Sequence, residues 1–260
     1  MIVQAVILAA GRGKRLQPLT LARTKAMLPI LGTPMVARVI ETLLPAGVDD
    51  LIIVASPDDD EIVAYFRDRC PLDLPVQFAF QAQRLGMAHA LLQAAPLIRG
   101  AFLLSACDSL TSPAHVSELV ACFRSEAASG ATLSVLTLPP EEVPSSGIVA
   151  IRDGRVTRIV EKPRLDDAPS DIGSMPLYVF SERLLTLLPE VKPSPRGEFE
   201  LQDAIQALID EGAPVVPVPA PWRLTVTRPE DLLTLNRVYM ETGEERLPSP
   251  EAVASGAQVL

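Results

Sequence analysis

The sequence predicts an α/β protein built on a doubly wound, mostly parallel β-sheet. Short apolar runs alternate with amphipathic stretches through the first half of the chain. These runs are apolar at successive positions, which is typical of strands that are covered on both faces. The stretches between them carry apolar residues at helical spacing. Strands that alternate with helices form a parallel sheet with helices on both of its faces.

The elements of the first half follow from these patterns. Thr33 is a candidate N-cap, and Pro34 just after it suits the first turn of a helix that ends near residue 46. Ser112 and Pro113 repeat this arrangement before a second helix, which extends to about residue 125. The five predicted strands span residues 3–9, 50–56, 76–81, 101–107 and 131–138.

The second half of the chain is organised differently. Residues 147–163 form a predicted β-hairpin, because two strand-like runs flank Asp153-Gly154, a dipeptide that favours tight hairpin turns. We expect this hairpin to decorate the sheet and to cover a substrate, so that the chain forms one domain with two functional halves. The remaining predicted elements are a strand at 176–181, helices at 182–188 and 198–211, a proline-rich strand at 213–220 and a helix at 229–241.

Composition narrows the classes of function. The chain of 260 residues has a formal net charge of −9, which argues against a protein that coats nucleic acid. Three cysteines without a C-x-x-C pair and only two histidines argue against structural zinc and fit a reducing cytoplasm. The apolar segment 2–10 is too short to span a membrane, and its positive charges follow it, unlike those of a signal peptide. We therefore expect a cytoplasmic protein without a membrane partner.

A basic loop that contains two glycines follows the first strand. Gly-Arg-Gly at 11–13 precedes Lys14 and Arg15, so three positive charges lie together in an acidic protein. Leu16 occupies the position at which G-x-G-x-x-G and G-x-x-x-x-G-K-[ST] both require glycine, which excludes these two nucleotide-binding motifs. Glycines after a strand let the backbone approach a phosphate closely. A tight turn with solvated charges explains the same residues.

The longer pattern around this loop favours its interpretation as a phosphate-binding loop. Residues 8–35 read LAAGRGKRLQPLTLARTKAMLPILGTPM, which resembles the signature of the sugar-1-phosphate nucleotidylyltransferases, and of the glucose-1-phosphate uridylyl- and thymidylyltransferases among them. The resemblance covers roughly residues 1–239 and implies a Rossmann-like nucleotidyltransferase sheet with an inserted β-hairpin that belongs to a sugar-binding half. It continues in QAQRLGMAHA at 81–90, LLSACDSL at 103–110, SGIVAIRDGRVTRIVEKP at 146–163, GEFELQDAIQALI at 197–209 and RPEDLLTLNR at 228–237.

The resemblance implies a reaction and a division of the chain. An oxygen of a sugar 1-phosphate attacks the α-phosphate of a nucleoside triphosphate, giving a nucleotide sugar and pyrophosphate, with Mg²⁺ as cofactor. Residues 1–243 would form the nucleotidyltransferase domain, with a nucleotide-binding half at 1–140 and a sugar-binding half at 141–243. The tail at 244–260 resembles the first coil of a left-handed β-helix. Three alternatives stay open for this tail: it packs on the nucleotidyltransferase domain, it packs on a partner chain, or it is a loose linker. Whether the protein forms a homo-oligomer also stays open.

The resemblance also assigns roles in the nucleotide half. Arg15 would neutralise the leaving pyrophosphate and Lys25 would hold the α-phosphate, and with Asp108 they form the implied catalytic set. Gln81 and Gly86 match positions that read a pyrimidine base, and a glutamine amide offers the donor and the acceptor that suit uracil or thymine. We therefore expect UTP or dTTP as the nucleotide. The implied nucleotide-binding residues are Leu8, Ala10, Gly11, Gly13, Gln81 and Gly86.

Metal and sugar sites are implied in the same way. Asp108 follows a predicted strand, at the edge of the sheet where parallel α/β proteins bind ligands, and its carboxylate is the implied Mg²⁺ ligand. In the sugar half, Glu161 would bind sugar hydroxyls, Lys162 would bind the sugar phosphate, and Gly147 would present its backbone to the sugar. Arg-Gly-Glu at 196–198 fits a wall of the sugar site and a simple helix start equally well.

Three positions depart from the family pattern. Cys107 and Pro176 stand where glycine is usual, and Thr225 stands where an aspartate supplies the second metal ligand. A neutral hydroxyl is a much poorer Mg²⁺ ligand than a carboxylate. Two functions therefore stay open: an active pyrimidine nucleotidylyltransferase, and a catalytically weak or inactive homologue that binds nucleotide or nucleotide sugar as a regulatory subunit. A dinucleotide oxidoreductase is disfavoured by Leu16.

The histidines are not expected to be catalysts. His89 is interpreted as a packing residue on the helix after Gly86, and His115 as part of the first turn of a surface helix. Trp222 is interpreted as a packing residue near the site.

Overall fold

The structure is a computed structural model that describes residues 4–125 and 130–242, so the tail at 244–260 lies outside the described residues. In chain order the strands are β1 (Gln4–Leu8), β2 (Pro29–Ile30), β3 (Thr33–Pro34), β4 (Asp50–Ala55), β5 (Val76–Phe80), β6 (Phe102–Ala106), β7 (Ala131–Thr137), β8 (Gly147–Arg152), β9 (Arg155–Glu161), β10 (Ile172–Phe180) and β11 (Val215–Pro219). The α-helices are α1 (Met35–Leu43), α2 (Asp60–Asp68), α3 (Met87–Ala94), α4 (Pro113–Ser125), α5 (Arg183–Leu187), α6 (Leu201–Asp210) and α7 (Pro229–Thr242).

Among the described residues, nine strands form the main sheet. Seven of them follow the order β11-β7-β10-β6-β1-β4-β5, while β8 pairs with β10 and β9 pairs with β8. β10 runs antiparallel to its neighbours β6 and β7, whereas the other pairs along this path are parallel. The prediction of a doubly wound, mostly parallel α/β sheet with an added β-hairpin is therefore confirmed.

Alternate residues of the central strands face opposite cores. Val6 and Val54 pack with α3 and α6 on one face of the sheet, whereas Ile7 and Ile53 pack with α1 and α4 on the other face. All four side chains are fully buried. A strand that is covered on both faces needs an apolar residue at every position, which explains the continuous apolar runs in the sequence.

The predicted helix starts have different outcomes. The hydroxyl oxygen of Ser112 accepts a hydrogen bond from the backbone N–H of His115 at 3.2 Å, as expected of a residue that caps α4. The prediction that Thr33 caps the first helix is wrong. Thr33 pairs with Ile30 in the short β2–β3 ribbon, and Pro34 directly precedes α1 without a side-chain cap. Pairing with β2 keeps Thr33 in an extended strand, two residues before the first residue of the helix.

The hairpin forms as predicted, and β10 is longer than predicted. Asp153 and Gly154 both have positive φ, at 51° and 71°, as the tight turn between β8 and β9 requires. β10 begins at Ile172 and passes through Pro176, where its register with β7 shifts between Ser174 and Tyr178. Proline lacks the N–H that a regular ladder needs, so its position at this irregularity is physically consistent.

A third apolar cluster anchors the basic loop to the last helix. Leu16, from the loop after β1, packs with Leu28 and Met35 and with Leu235 and Tyr239 of α7. Leu16 is 1% exposed. The side chain that breaks both glycine motifs therefore holds the loop against the body of the protein. Within the described residues, every helix is too short or too polar to cross a bilayer.

Candidate active site

The candidate site lies at the carboxyl ends of neighbouring parallel strands. Leu8 ends β1, and Asp108 follows β6, which pairs with β1. Gln81 follows β5 and donates its backbone N–H to the carbonyl of Ala55 at the end of β4, at 2.9 Å. The carboxyl ends of parallel strands meet at one edge of a sheet, so residues distant in sequence are brought to the same side of the molecule.

The glycine loop borders a cavity of about 300 Å³. Gly13 has a φ of +64°, and a Cβ there would lie 3.0 Å from Cβ of Lys25. Any other residue at position 13 would therefore be strained and crowded on this path beside Lys25. Arg15 is exposed and has no ion-pair partner in the described part of the chain. The cavity is lined by Gly11, Gly13, Lys14, Arg15, Leu16, Lys25, Val226 and Thr227.

Lys25, Asp108 and Thr225 meet at a single carboxylate oxygen. Nζ of Lys25 contacts Oδ2 of Asp108 in an ion pair whose side chains are 16% and 14% exposed. The hydroxyl of Thr225 donates a hydrogen bond to the same oxygen at 2.7 Å. Thr225 thus lies next to the carboxylate that was interpreted as the metal ligand, as its place in the sequence pattern predicts.

Backbone pairing holds Thr225 in this position. Leu110 and Leu224 exchange two backbone hydrogen bonds, at 3.0 and 2.9 Å. The buried hydroxyl of Thr111 donates to the carbonyl of Trp222 at 2.9 Å. Hydrogen bonds therefore join the segment after Asp108 to the segment before Thr225. Trp222 is buried as interpreted from the sequence.

The residues around Asp108 fit Mg²⁺ only as a site with one carboxylate. No group of three or more His, Cys, Asp or Glu side chains that could hold a metal occurs in residues 4–125 and 130–242. Burial raises the pKa of the Cys107 thiol to about 12, so this neighbour stays protonated and is a poor ligand. Mg²⁺ accepts one or two carboxylates when phosphate oxygens and water complete its shell. Phosphate oxygens of a substrate and water molecules would have to supply the other ligands here.

Arg84 contacts the segment that leads into the glycine loop. This residue was not identified from the sequence. Its Nε donates to the carbonyl of Ala10 at 2.8 Å, and its Nη2 donates to the hydroxyl of Ser56 at 2.6 Å. Asp58 forms ion pairs with Arg84 at 3.2 Å and with Arg12 at 2.9 Å. Hydrogen bonds from Ser56 and then from Arg12 lower the pKa of Asp58 to about 2. Arg12 is therefore paired with an ionised carboxylate, whereas Arg15 is not.

The two residues interpreted as base-reading lie together. Nε2 of Gln81, which is 4% exposed, donates to the carbonyl of Gly86 at 3.1 Å. Gly86 has a φ of +102°, and a Cβ there would lie 2.5 Å from the carbonyl oxygen of Phe199. Close approach of the Phe199 backbone therefore requires glycine at position 86. His89, interpreted as a packing residue, also makes a polar contact, with its Nδ1 lying 3.0 Å from Nε2 of Gln81.

The sugar half brings together the three residues predicted there. Gly147 pairs with Glu161 across the hairpin, and a Cβ at Gly147 would lie 3.0 Å from Oε2 of Glu161. Oε1 of Glu161 lies 3.3 Å from Nζ of Lys162. Burial raises the pKa of Glu161, and the neighbouring Lys162 partly opposes that shift. The hairpin therefore holds a nearly buried carboxyl group beside one lysine.

Residues before and within α6 complete this cluster. Arg196 lies 3.8 Å from Glu161 and 2.8 Å from the buried Glu200. Nε2 of Gln202 would lie 3.0 Å from a Cβ at Gly147. Oε2 of Glu161 and Oε1 of Gln202 are buried without a hydrogen-bond partner in the described residues. The sequence pointed to Arg196 as one of two alternatives, but it gave no signal for Gln202.

The interpretation of His115 as a residue of a surface helix is wrong in one respect, because its side chain is buried. His115 is 2% exposed, and its Nε2 lies 2.7 Å from the hydroxyl oxygen of Ser134 on β7. Burial lowers its pKa to about 4, so the ring is neutral near pH 7. The first turn of α4 faces the sheet here, so the residue is enclosed although its helix is at the surface.

Comparison with known proteins assigns the class that this fold and site define. The family described as nucleotidyl transferase matches residues 4–233, and the chain belongs to this family. The UTP–glucose-1-phosphate uridylyltransferase AglF of Haloferax volcanii is 32% identical over 231 residues, which cover 88% of this chain and 93% of that one. A glucose-1-phosphate thymidylyltransferase of Streptomyces griseus is 33% identical over 250 residues, which cover 94% and 68% of the two chains.

Solved structures show the same fold at lower sequence identity. A UDP-glucose pyrophosphorylase complexed with UDP-glucose has a TM-score of 0.84 at 22% identity, over 94% of this chain and 100% of that chain. A UTP-bound UGPase from Acinetobacter baumannii has a TM-score of 0.80 at 22% identity, over the full length of both chains. The resemblance in the sequence to sugar-1-phosphate nucleotidyltransferases is therefore confirmed at the level of family and fold.

Proposed function

We propose that this protein joins a sugar 1-phosphate to UTP or dTTP and releases pyrophosphate. The observation that carries the proposal is the contact between Lys25, which lines the cavity of the glycine loop, and Asp108 at the end of β6. A cation and a carboxylate in contact beside a loop of glycines suit a phosphate with its counter-ion. Sequence and structure therefore support phosphate chemistry at this edge of the sheet.

The proposed reaction needs positioning and neutralisation of charge. An oxygen of the sugar phosphate attacks the α-phosphorus, and the bond to the leaving pyrophosphate breaks with its electron pair on the pyrophosphate. In the proposed roles, Lys25 exchanges its contact with Asp108 for one with the α-phosphate, and the unpaired Arg15 faces the leaving group. Mg²⁺ at Asp108 would add positive charge at the triphosphate. No covalent nucleophile is required.

The polar cluster of the sugar half suits a hydroxylated ligand with an anionic end. The unpartnered acceptors on Glu161 and Gln202 would each accept a hydrogen bond from a sugar hydroxyl. Lys162 and Arg196, both near Glu161, are the cations available to a phosphate. Unpaired buried acceptors cost free energy in the free protein, so a ligand that brings donors is stabilised there.

The nucleotide is proposed from Gln81 and from the relatives. One relative named above is a uridylyltransferase and the other a thymidylyltransferase. Both uracil and thymine present a ring N–H between two carbonyl oxygens, so one amide can serve either base. UTP and dTTP are therefore both retained as substrates.

A second candidate function rests on Thr225. The side chain next to Asp108 is a neutral hydroxyl, so the metal site has one carboxylate where the family pattern has two. A protein that binds nucleotide or nucleotide sugar at this site and regulates a partner would need no second carboxylate.

Release of pyrophosphate separates the two candidates. The protein is incubated with glucose 1-phosphate and UTP, or with glucose 1-phosphate and dTTP, with and without Mg²⁺, and parallel reactions omit the sugar phosphate. Pyrophosphate release that requires both substrates and the metal supports the enzyme. Binding of UTP or dTTP by calorimetry without turnover supports the regulatory subunit, and absence of both overturns the proposed function.

A further inference from the structure

The amide of Gln81 has only one orientation that satisfies its neighbours. The carbonyl oxygen of Gly86 can only accept a hydrogen bond, so the atom of Gln81 that faces it at 3.1 Å must be the amide nitrogen. The same nitrogen lies 3.0 Å from Nδ1 of His89. The two hydrogens of the amide thus go to two acceptors, the Gly86 carbonyl and the His89 ring.

This arrangement fixes the proton of the His89 ring and frees one atom of Gln81. Nδ1 of His89 accepts a hydrogen bond, so in the neutral ring the proton lies on Nε2. Oε1 of Gln81 accepts no hydrogen bond within the part of the chain that the structure describes. Gln81 therefore keeps a free acceptor, and its donor capacity is used within the protein.

Contacts with Phe199 hold the frame around this pair. The backbone of Gly86 packs on Phe199, and the N–H of Ala88 donates to the carbonyl of Phe199 at 3.1 Å. The His89 ring lies 6.1 Å from the Phe199 ring, at an interplanar angle of 35°. The first turn of α3 is thus held on the segment before α6. Both groups that accept from Gln81 belong to this turn.

We infer that His89 is a positioning residue that makes Gln81 select a base with a ring N–H, and so selects uracil or thymine over cytosine. The inference rests on the proposed function, because it concerns the same nucleotide site. N3 of uracil and thymine carries a hydrogen that Oε1 of Gln81 can accept. N3 of cytosine carries a lone pair, so cytosine would place two acceptors face to face and leave both unpaired. Without an acceptor at position 89, only the Gly86 carbonyl still holds the amide in this orientation, so cytosine is rejected less strongly.

Two substitutions at one position test this role. His89→Asn places Oδ1 where Nδ1 stands and keeps an acceptor for Gln81, while His89→Leu replaces the ring with an apolar side chain and removes the acceptor. Dissociation constants for UTP and CTP are measured by calorimetry, and KM and kcat are measured separately. We expect wild type and His89→Asn to prefer UTP, and we expect His89→Leu to lose roughly 10- to 100-fold of that preference. The loss should fall on KM, with kcat changed little.

Nitrogen-15 spectra of the histidine rings supply a test that needs no nucleotide and no variant. We expect His89 to carry its proton on Nε2 and an unprotonated, hydrogen-bonded Nδ1. A proton on Nδ1 would overturn the inference. A His89→Leu protein that still prefers UTP as strongly as wild type overturns the role of His89 and leaves the proposed function intact. A wild-type protein that binds neither UTP nor dTTP overturns both.

Discussion

Thr225 donates its hydroxyl hydrogen to Oδ2 of Asp108 at 2.7 Å, and Lys25 contacts the same oxygen. One carboxylate oxygen therefore receives two donors from the protein, one of them positively charged. A divalent cation at this oxygen has to compete with Lys25. A nucleotide phosphate that draws Lys25 away removes that competition, so binding of the metal and binding of the nucleotide should support each other.

The first prediction concerns the two proposed phosphate-binding cations. We expect Arg15→Ala and Lys25→Ala each to lower kcat/KM about 100-fold or more, because both charges would act on phosphates in the transition state. Steady-state kinetics with UTP or dTTP check this. Arg99→Ala is a matched control, since Arg99 is exposed and precedes the amino end of β6, opposite to Asp108. Near wild-type activity in Arg15→Ala would mean that Arg15 is a solvated loop charge.

The second prediction concerns competition at Asp108. Lys25→Met should raise the affinity of the nucleotide-free protein for Mn²⁺, a spectroscopic substitute for Mg²⁺, because it removes the cation that contacts Oδ2. Electron paramagnetic resonance of free Mn²⁺ measures this directly. Arg15→Met, which removes a charge from the same cavity without touching Asp108, should change the affinity much less. Equal effects of the two variants would contradict direct competition and indicate general electrostatics.

The third prediction concerns the second carboxylate. Thr225→Asp should tighten metal binding, because it adds a charged oxygen ligand next to Asp108. Thr225→Asn introduces a side chain of the same size as aspartate but without its charge. This variant should leave metal affinity near that of wild type. Calorimetric titration with Mg²⁺, with and without nucleotide, checks both variants. Tight Mg²⁺ binding by the wild-type protein in the absence of nucleotide would mean that a further ligand exists.

The fourth prediction concerns Gly86. Gly86→Ala combines a φ of +102° with a Cβ only 2.5 Å from the Phe199 carbonyl oxygen. We expect it to lower the free energy of unfolding by about 2–4 kcal/mol, as the sum of backbone strain and overpacking. Gly212→Ala has a φ of +82° with open space around its Cβ, so it reports the cost of a positive φ without a clash, about 1 kcal/mol. Urea unfolding of both variants separates the two contributions, and equal losses would exclude the clash.

The fifth prediction concerns Glu161 and pH. Burial raises its folded-state pKa above the ordinary value of 4.5, so the folded protein holds this proton more tightly than the unfolded chain does. Stability contributed by Glu161 therefore declines as the pH rises from near 4.5 through the raised pKa. Glu161→Gln cannot ionise, so its melting temperature relative to wild type should increase over this range and then level off. A constant difference from about pH 4 to about pH 7 would contradict a raised pKa.

Much of the architecture could be predicted because it depends on local chemistry. Continuous apolar runs predicted the central strands, since a strand covered on both faces has no polar side. Asp153-Gly154 predicted the hairpin, since its turn needs two positive φ angles. Thr33 shows the limit of such signals. A good capping residue became part of β3 because pairing with Ile30, three residues earlier in the chain, outweighed its capping preference.

The sequence by itself determined the class of this protein, the strands of its main sheet, its glycine loop and the identities of Lys25, Asp108 and Glu161 as candidates. Tertiary structure decided what those residues touch. Asp108 meets Lys25 and Thr225 across 83 and 117 positions of chain, and the side chains of Glu161 and Gln202 converge on Gly147. The periodicity of apolar residues shows only which side chains share a face of one strand or one helix. Contacts such as that of Gln81 with His89 depend on side-chain orientation, which packing fixes only after the chain has folded.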